Sequence, residues 1–260
     1  MPRTRRDFLR SALGAIAAGL ASAVAWPSRS MAMGEEDQLE LAWLLPADGE
    51  PVARKTALRR LLQEIEKRTS VKVNAESNII TLDKRIFDYP MLFLSGSGSF
   101  EPWSDEQIDL LRTWLKGGGF LVVDSHEGLE DGPFLRDAKR ELARVYPDDE
   151  IKEIPSNHVL YKSFYLISTP YGRLAASDKL HGYFEQDRVP VVLSANDMLG
   201  AWARDGFGRW EFDVIPQGEQ QREYAIRLGV NLVMYALCVN YKEDQVHIQF
   251  LMKRRNWKVN

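Results

Sequence analysis

The chain has 260 residues, a formal net charge of −3 and 45% hydrophobic residues, which is typical of a globular protein with one sizeable core. A mildly acidic chain has no general attraction for nucleic acid, so we expect no nucleic-acid partner. The single cysteine, Cys238, excludes an intramolecular disulfide and any zinc site built on several cysteines. It lies in an apolar helical stretch, where we expect it to be a small buried hydrophobe.

Residues 1–32 have the features of an export signal. Arg5 and Arg6 are followed by Phe8 and Leu9, and an apolar stretch rich in Ala and Gly comes next. This pattern resembles the signal of the twin-arginine pathway, which moves folded proteins across the membrane. An ordinary Sec signal with a basic start is the alternative. The resemblance implies the twin-arginine translocase as a partner during export and a periplasmic, extracytoplasmic mature protein.

The end of this signal is marked by small residues. Cleavage between Ala32 and Met33 fits best, and a second possible site lies at Ala25. The apolar stretch is shorter than the ~20 residues that span a bilayer. We therefore expect no permanent transmembrane helix after cleavage, although retention of the signal as an anchor stays open.

After the signal, apolar strands alternate with amphipathic helices. Ser104 and Gln107 have the spacing of a capping box at the start of the clearest helix. The strands are continuously apolar, which is typical of a parallel sheet covered on both faces. The predicted strands lie at 39–45, 71–73, 91–94, 120–123, 151–154, 164–167 and 189–193, with a hairpin arm at 181–188, and the helices at 52–68, 104–116, 133–145 and 220–239.

The pattern predicts a doubly wound α/β fold with a mainly parallel sheet and helices on both faces. No internal repeat or low-complexity linker interrupts it. We therefore expect a single α/β domain over 33–260, with its core at about 39–240 and a mixed tail at 241–260 that holds a basic cluster at 253–255.

Several blocks in a fixed order resemble one bacterial family, known as domain of unknown function 4159. The resemblance implies a flavodoxin-like fold similar to class I glutamine amidotransferases, and it implies no established reaction. No cysteine stands in the loops after the strands, so the amidotransferase nucleophile is not carried over. The blocks are Asp-Tyr-Pro-Met-Leu-Phe-Leu-Ser-Gly at 88–96, Gly-Gly-Gly-Phe-Leu at 117–121, Arg-Glu-Leu at 140–142, Pro-Ser-Asn-His-Val-Leu-Tyr at 155–161, Ser-Phe-Tyr at 163–165, Ser-Ala-Asn-Asp at 194–197 and Ala-Ile-Arg-Leu-Gly-Val-Asn at 225–231.

Ligands of open α/β sheets bind at the carboxyl ends of the strands, so the loops there are the candidate cleft. The small residues around Ser97 and Gly98 let backbone N–H groups approach an anion or a sugar. The alternative is a plain strand-to-helix connection. This loop has neither the lysine of a phosphate-binding loop nor the pattern of a nucleophile elbow.

A second loop carries Asp124, Ser125 and His126, and a third carries Asn196 and Asp197. With Glu127, the second loop offers ligands that suit a divalent metal, and Ser125 beside His126 invites comparison with a Ser–His pair. The simpler interpretation gives these residues capping and turn roles. We predict no cofactor and no metal site, with a divalent metal as the alternative.

Two functions remain open. One is a non-catalytic envelope module that binds a small ligand or a partner protein. The other is a hydrolase that acts on an envelope component through this cleft. The fold hosts many functions and does not decide between them.

Overall fold

The computed structural model describes residues 38–48 and 53–255, with side chains up to residue 238. The predicted signal and its cleavage site therefore lie outside the described residues. Residues from Gln38 onward belong to one compact unit. Seven strands form one sheet in the order β2-β1-β3-β4-β7-β6-β5. Their bounds are β1 Ala42–Leu44, β2 Asn78–Ile80, β3 Met91–Gly96, β4 Phe120–Ser125, β5 Lys152–Glu153, β6 His181–Glu185 and β7 Arg188–Ser194.

The sheet is mainly parallel. In the stretch β2-β1-β3-β4-β7 every neighbouring pair of strands is parallel. Strand β6 pairs antiparallel with both β7 and β5. The helices are α1 Ala57–Arg68, α2 Asp105–Lys116, α3 Pro133–Val145, α4 Met198–Trp202 and α5 Gly218–Arg255, with 3-10 turns at Lys84–Asp88 and Val159–Lys162. This is the predicted doubly wound α/β architecture, with the flavodoxin-like strand order in its parallel part.

Two apolar clusters cover the two faces of the sheet. Alternate side chains of β3 and β4 go to opposite faces, as the period of two in a strand requires. Phe93 and Val122 pack with α1, α4 and α5, whereas Leu92 and Val123 pack with α2 and α3. Both faces of the central strands are thus buried, which explains why their sequences are continuously apolar.

Most predicted elements are present. Helix α3 has the predicted bounds, and the capping box of Ser104 and Gln107 is formed at the start of α2. The predicted hairpin arm is β6, which pairs with β7. Helix α1 begins at Ala57, five residues later than the apolar spacing indicates.

Four sequence-based expectations are wrong. The segment 164–167 forms no strand. At 71–73 only Val73 pairs, with Leu39, and the strand beside β1 lies further on at Asn78–Ile80. Helix α5 continues through most of the predicted mixed tail, to Arg255. Cys238 is exposed rather than buried. Within the described chain, no helix is both long and apolar enough to cross a membrane.

Candidate functional site

The winding of the sheet reverses between β1 and β3, because the chain moves from β1 to β2 on one side and then to β3 on the other. Such a switch point opens a crevice at the carboxyl ends of the strands. Arg54 lies on the connection after β1, and Ser95 lies near the end of β3. His126 follows β4 and Asp197 follows β7. Four separate segments thus bring polar side chains to this edge.

His126 is held by a hydrogen bond on each ring nitrogen. Its Nε2 lies 2.6 Å from the Oγ of Ser95, and its Nδ1 lies 2.8 Å from the Nη1 of Arg54. A guanidinium stays protonated and has no acceptor, so Nδ1 must accept this bond. The ring proton is therefore on Nε2, which donates to the hydroxyl of Ser95.

The environment also keeps this imidazole neutral. Burial and the positive charges of Arg54 and Arg173 together lower the pKa of His126 to about 4, against the opposing effect of Asp197. Because its one basic nitrogen accepts from Arg54, the ring has no free lone pair with which to take a proton from Ser95.

Asp197 anchors the cluster. It has a left-handed backbone (φ 51°), and its side chain caps α4 by accepting a hydrogen bond from the Gly200 N–H at 3.0 Å. Arg54 contacts both carboxylate oxygens, with Nε at 2.7 Å from Oδ1 and Nη2 at 2.9 Å from Oδ2. The Nε of Arg173 forms an ion pair with the same Oδ2. Phe212 packs against both guanidinium groups, and the centroid of its ring lies 4.5 Å from the guanidinium carbon of Arg54 and 5.7 Å from that of Arg173.

Asp124, at the end of β4, is fully buried. Its Oδ2 accepts a hydrogen bond from the Leu199 N–H at 3.0 Å, whereas its Oδ1 has no hydrogen-bond partner among the described residues. Burial, and then the negative charge of Asp197, raise the pKa of Asp124 to about 7. Asp197 forms ion pairs with two arginines, whereas Asp124 is buried without one, so burial is not offset by a nearby positive charge at Asp124.

The loop with Ser97 and Gly98 faces an anion supplied by the chain itself. The Gly98 N–H donates to Oε1 of Glu127 at 2.8 Å. The other oxygen of Glu127 accepts from Ser125 Oγ at 3.2 Å and from the Phe134 N–H at 3.3 Å. Gly98 has a positive φ of 76°, a conformation that glycine adopts without strain. Glu127 thus occupies the position that the sequence suggested for a ligand anion.

Asn196 fastens a neighbouring loop. Its Oδ1 accepts from the Ser177 N–H at 2.8 Å, and its Nδ2 donates to the carbonyl oxygens of Pro170 and Ser177, each at 2.8 Å. All of its amide groups are used within the protein, and the residue is fully buried. Its contacts hold the segment that carries Arg173.

The structure therefore divides the predicted cleft into two groups. Asp124, His126 and Asp197 converge in one cluster, whereas Gly98 and Ser125 meet at Glu127 in another. Ser97 has no described side-chain contact with either group. Sequence reasoning missed Arg54 and Arg173, and it named Glu127 only as a possible metal ligand rather than as the acceptor that holds the loop with Gly98. Among the described residues, no group of three or more His, Cys, Asp or Glu side chains is placed to hold a metal ion.

A cavity of about 340 Å³ lies on the α3 side of β7, and its lining does not include Arg54, His126 or Asp197. Lys139 and Lys179 line it, and both are paired with carboxylates, Asp131 and Glu153. Its lysines are therefore neutralised by carboxylates of the chain itself.

A protein-family model described as "Domain of unknown function (DUF4159)" matches residues 40–237. The chain belongs to this family. The match spans all seven strands and every residue of the Arg54–Asp197 cluster. No curated protein matches the chain.

Proposed function

We propose that this DUF4159 protein is a non-catalytic ligand-binding module of the cell envelope, whose ligand lies at the carboxyl edge of the sheet between β1 and β3. The observation that carries the proposal is the hydrogen bond from Arg54 to Nδ1 of His126. It leaves the Ser95–His126 pair in the tautomer that cannot activate the serine. The cluster is suited to binding because its arginines are held in place before any ligand arrives.

The envelope location rests on the sequence of residues 1–32. Arg5, Arg6, Phe8 and Leu9 match the twin-arginine signal, and the translocase would be a partner during export. The similarity to class I glutamine amidotransferases remains part of this proposal, supported by the strand order. It brings no nucleophile, because the one cysteine lies on α5.

A hydrolase is the second candidate, and one observation favours it. The pKa of Asp124, raised to about 7 by burial and by Asp197, is suited to general acid or base chemistry near neutral pH. Against this, Asp124 is fully buried, and its Oδ2 is already bound to the backbone of Leu199.

A turnover screen separates the two functions. The purified mature protein is tested on ester, amide and glycoside substrates, with and without divalent metal, and ligand binding is followed by thermal shift against a small-molecule library. We expect ligand-induced stabilisation and no turnover. His126→Ala probes the cluster, and His158→Ala is the matched control because His158 caps a 3-10 turn outside it. Turnover that His126→Ala abolishes and His158→Ala retains would overturn the binding function.

A further inference from the structure

Arg173 presents a guanidinium edge that has no hydrogen-bond partner among the described residues. Its Nε is used by Asp197, whereas neither Nη1 nor Nη2 donates a hydrogen bond to any described residue. The side chain is 22% exposed, compared with 9% for Arg54. Arg54 differs because both of its terminal nitrogens are occupied, by His126 and Asp197. Arg173 is thus the arginine of this pair with donors left for a ligand.

The backbone of Arg173 is fixed from two sides. Its N–H donates to the Asp197 carbonyl at 3.0 Å, and its own carbonyl accepts from the Ile215 N–H at 2.9 Å. Phe212, which packs against the guanidinium, is held in turn by a hydrogen bond from Arg222 to its carbonyl at 2.8 Å. A ligand that binds this edge meets a donor pair that is already ordered, which lowers the entropy cost of binding.

The cluster also has an excess of positive charge. Among the described residues, Asp197 is the one whose carboxylate oxygens lie within 4 Å of the side-chain nitrogens of Arg54 and Arg173. His126 is neutral near physiological pH, since its pKa is lowered to about 4, and Asp124 forms no ion pair with either guanidinium among the described residues. Two guanidinium groups therefore face one carboxylate. A largely buried charge without a counter-ion is unfavourable, so a bound anion stabilises this arrangement.

We propose that the Nη1–Nη2 edge of Arg173 binds a carboxylate group of the ligand, with Arg54, Asp197 and Phe212 holding the guanidinium in position. This assignment rests on the proposed ligand-binding function and gives its ligand a chemical class. Two N–H groups in one plane match the two oxygens of a carboxylate. A carboxylate also carries the single negative charge that the cluster lacks, whereas a phosphate dianion would exceed it.

Calorimetric titration tests the assignment. The purified mature protein is titrated near neutral pH with acetate, succinate and inorganic phosphate. We expect a carboxylate to bind and Arg173→Gln to weaken its binding by about tenfold to a hundredfold, because a hydrogen-bonded charge pair is lost. Arg173→Lys keeps the charge but lacks the paired N–H edge, so we expect an intermediate affinity. Arg85→Gln is the matched control, since Arg85 is an exposed arginine paired with one aspartate, Asp83.

Three results would overturn the carboxylate subsite: no binding of either carboxylate, equal affinity of Arg173→Gln and the native protein, or a preference for phosphate. If Arg173→Gln does not fold, Arg173→Lys decides, and unchanged affinity in it contradicts the assignment. Each of these results, in a protein without turnover, leaves the binding function standing with another ligand. Turnover that depends on His126 would instead remove the proposed function itself.

Discussion

Nη1 of Arg54 lies 2.8 Å from Nδ1 of His126, where a catalytic Ser–His–Asp triad would place a carboxylate. A carboxylate would accept a hydrogen bond from the Nδ1–H group, which keeps the ring proton on Nδ1 and leaves Nε2 free to act as a base. The guanidinium does the opposite, because it donates to Nδ1 and leaves the proton on Nε2. The charge of Arg54 also opposes protonation of the ring. The partner of Nδ1 thus decides which nitrogen of the His126 ring carries the proton.

Replacing Asp197 by asparagine removes the counter-ion of two arginines. Asparagine tolerates the left-handed backbone and still accepts from Gly200, so the change is mainly one of charge. We expect Asp197→Asn to lower the free energy of unfolding by about 3–5 kcal/mol, as does breaking a buried ion pair. Urea denaturation measures this change in the free energy of unfolding. Asp109→Asn, which breaks an exposed pair with Arg112, is the control and should change little. Equal effects of the two substitutions would contradict this role for Asp197.

The pH dependence of stability reports on Asp124. Its pKa is raised from 3.8 to about 7 in the folded protein, so between these values the folded state binds more protons than the unfolded state. Its contribution to stability is full below about pH 4 and is lost as the pH rises through about 7. Asp124→Asn removes the ionisable carboxyl group, so the variant does not lose this contribution to stability as the pH rises. Denaturation at a series of pH values should show the variant gaining stability relative to the native protein as pH increases, and a constant difference would contradict the assignment.

Glu127 is expected to hold the glycine-containing loop after β3. Glu127→Ala leaves the N–H groups of Gly98 and Phe134 without their acceptor, which should cost about 1–3 kcal/mol. Amide hydrogen exchange measures the effect at these two positions. We expect faster exchange in Glu127→Ala and a smaller change in Glu127→Gln, which retains one acceptor oxygen. Unchanged exchange in both variants would mean that the loop is held by other contacts.

Export should depend on the paired arginines. We expect a variant with Arg5→Lys and Arg6→Lys to accumulate inside the cell, because the twin-arginine translocase reads the arginine pair rather than its charge. Fractionation of periplasm and cytoplasm measures the distribution. Normal export of this variant, or export of the native protein in cells without the translocase, would show that another pathway is used.

The fold was predictable where the local pattern and the tertiary contacts agree. Helix α3 begins at Pro133, which suits the first helical turn, and its apolar stripe faces the sheet. The segment 164–167 has the composition of a strand. Its backbone is bound by a side chain instead, because Asn231 accepts from the N–H groups of Phe164 and Tyr165. The composition of the segment does not show whether its backbone N–H groups bond to a neighbouring strand or to a side chain.

The site was predictable only in part, for a similar reason. Asp124, His126 and Asp197 follow apolar strands, and parallel strands bring their carboxyl ends to one edge. Arg54 and Arg173 lie on irregular connections, and no spacing in the sequence marks their meeting at Asp197. Their positions are set by the folded sheet, so only the structure shows that the cleft holds two arginines.

The tautomer of His126 tests the central claim most directly. Nitrogen-15 NMR of the imidazole distinguishes a proton on Nε2 from one on Nδ1 and follows the ring through a pH titration. We expect a neutral ring near physiological pH, protonated on Nε2, with a pKa well below the ordinary 6.5 because of burial and Arg54. A proton on Nδ1, or a ring that titrates at or above its ordinary value, would contradict the non-catalytic function and favour a hydrolase.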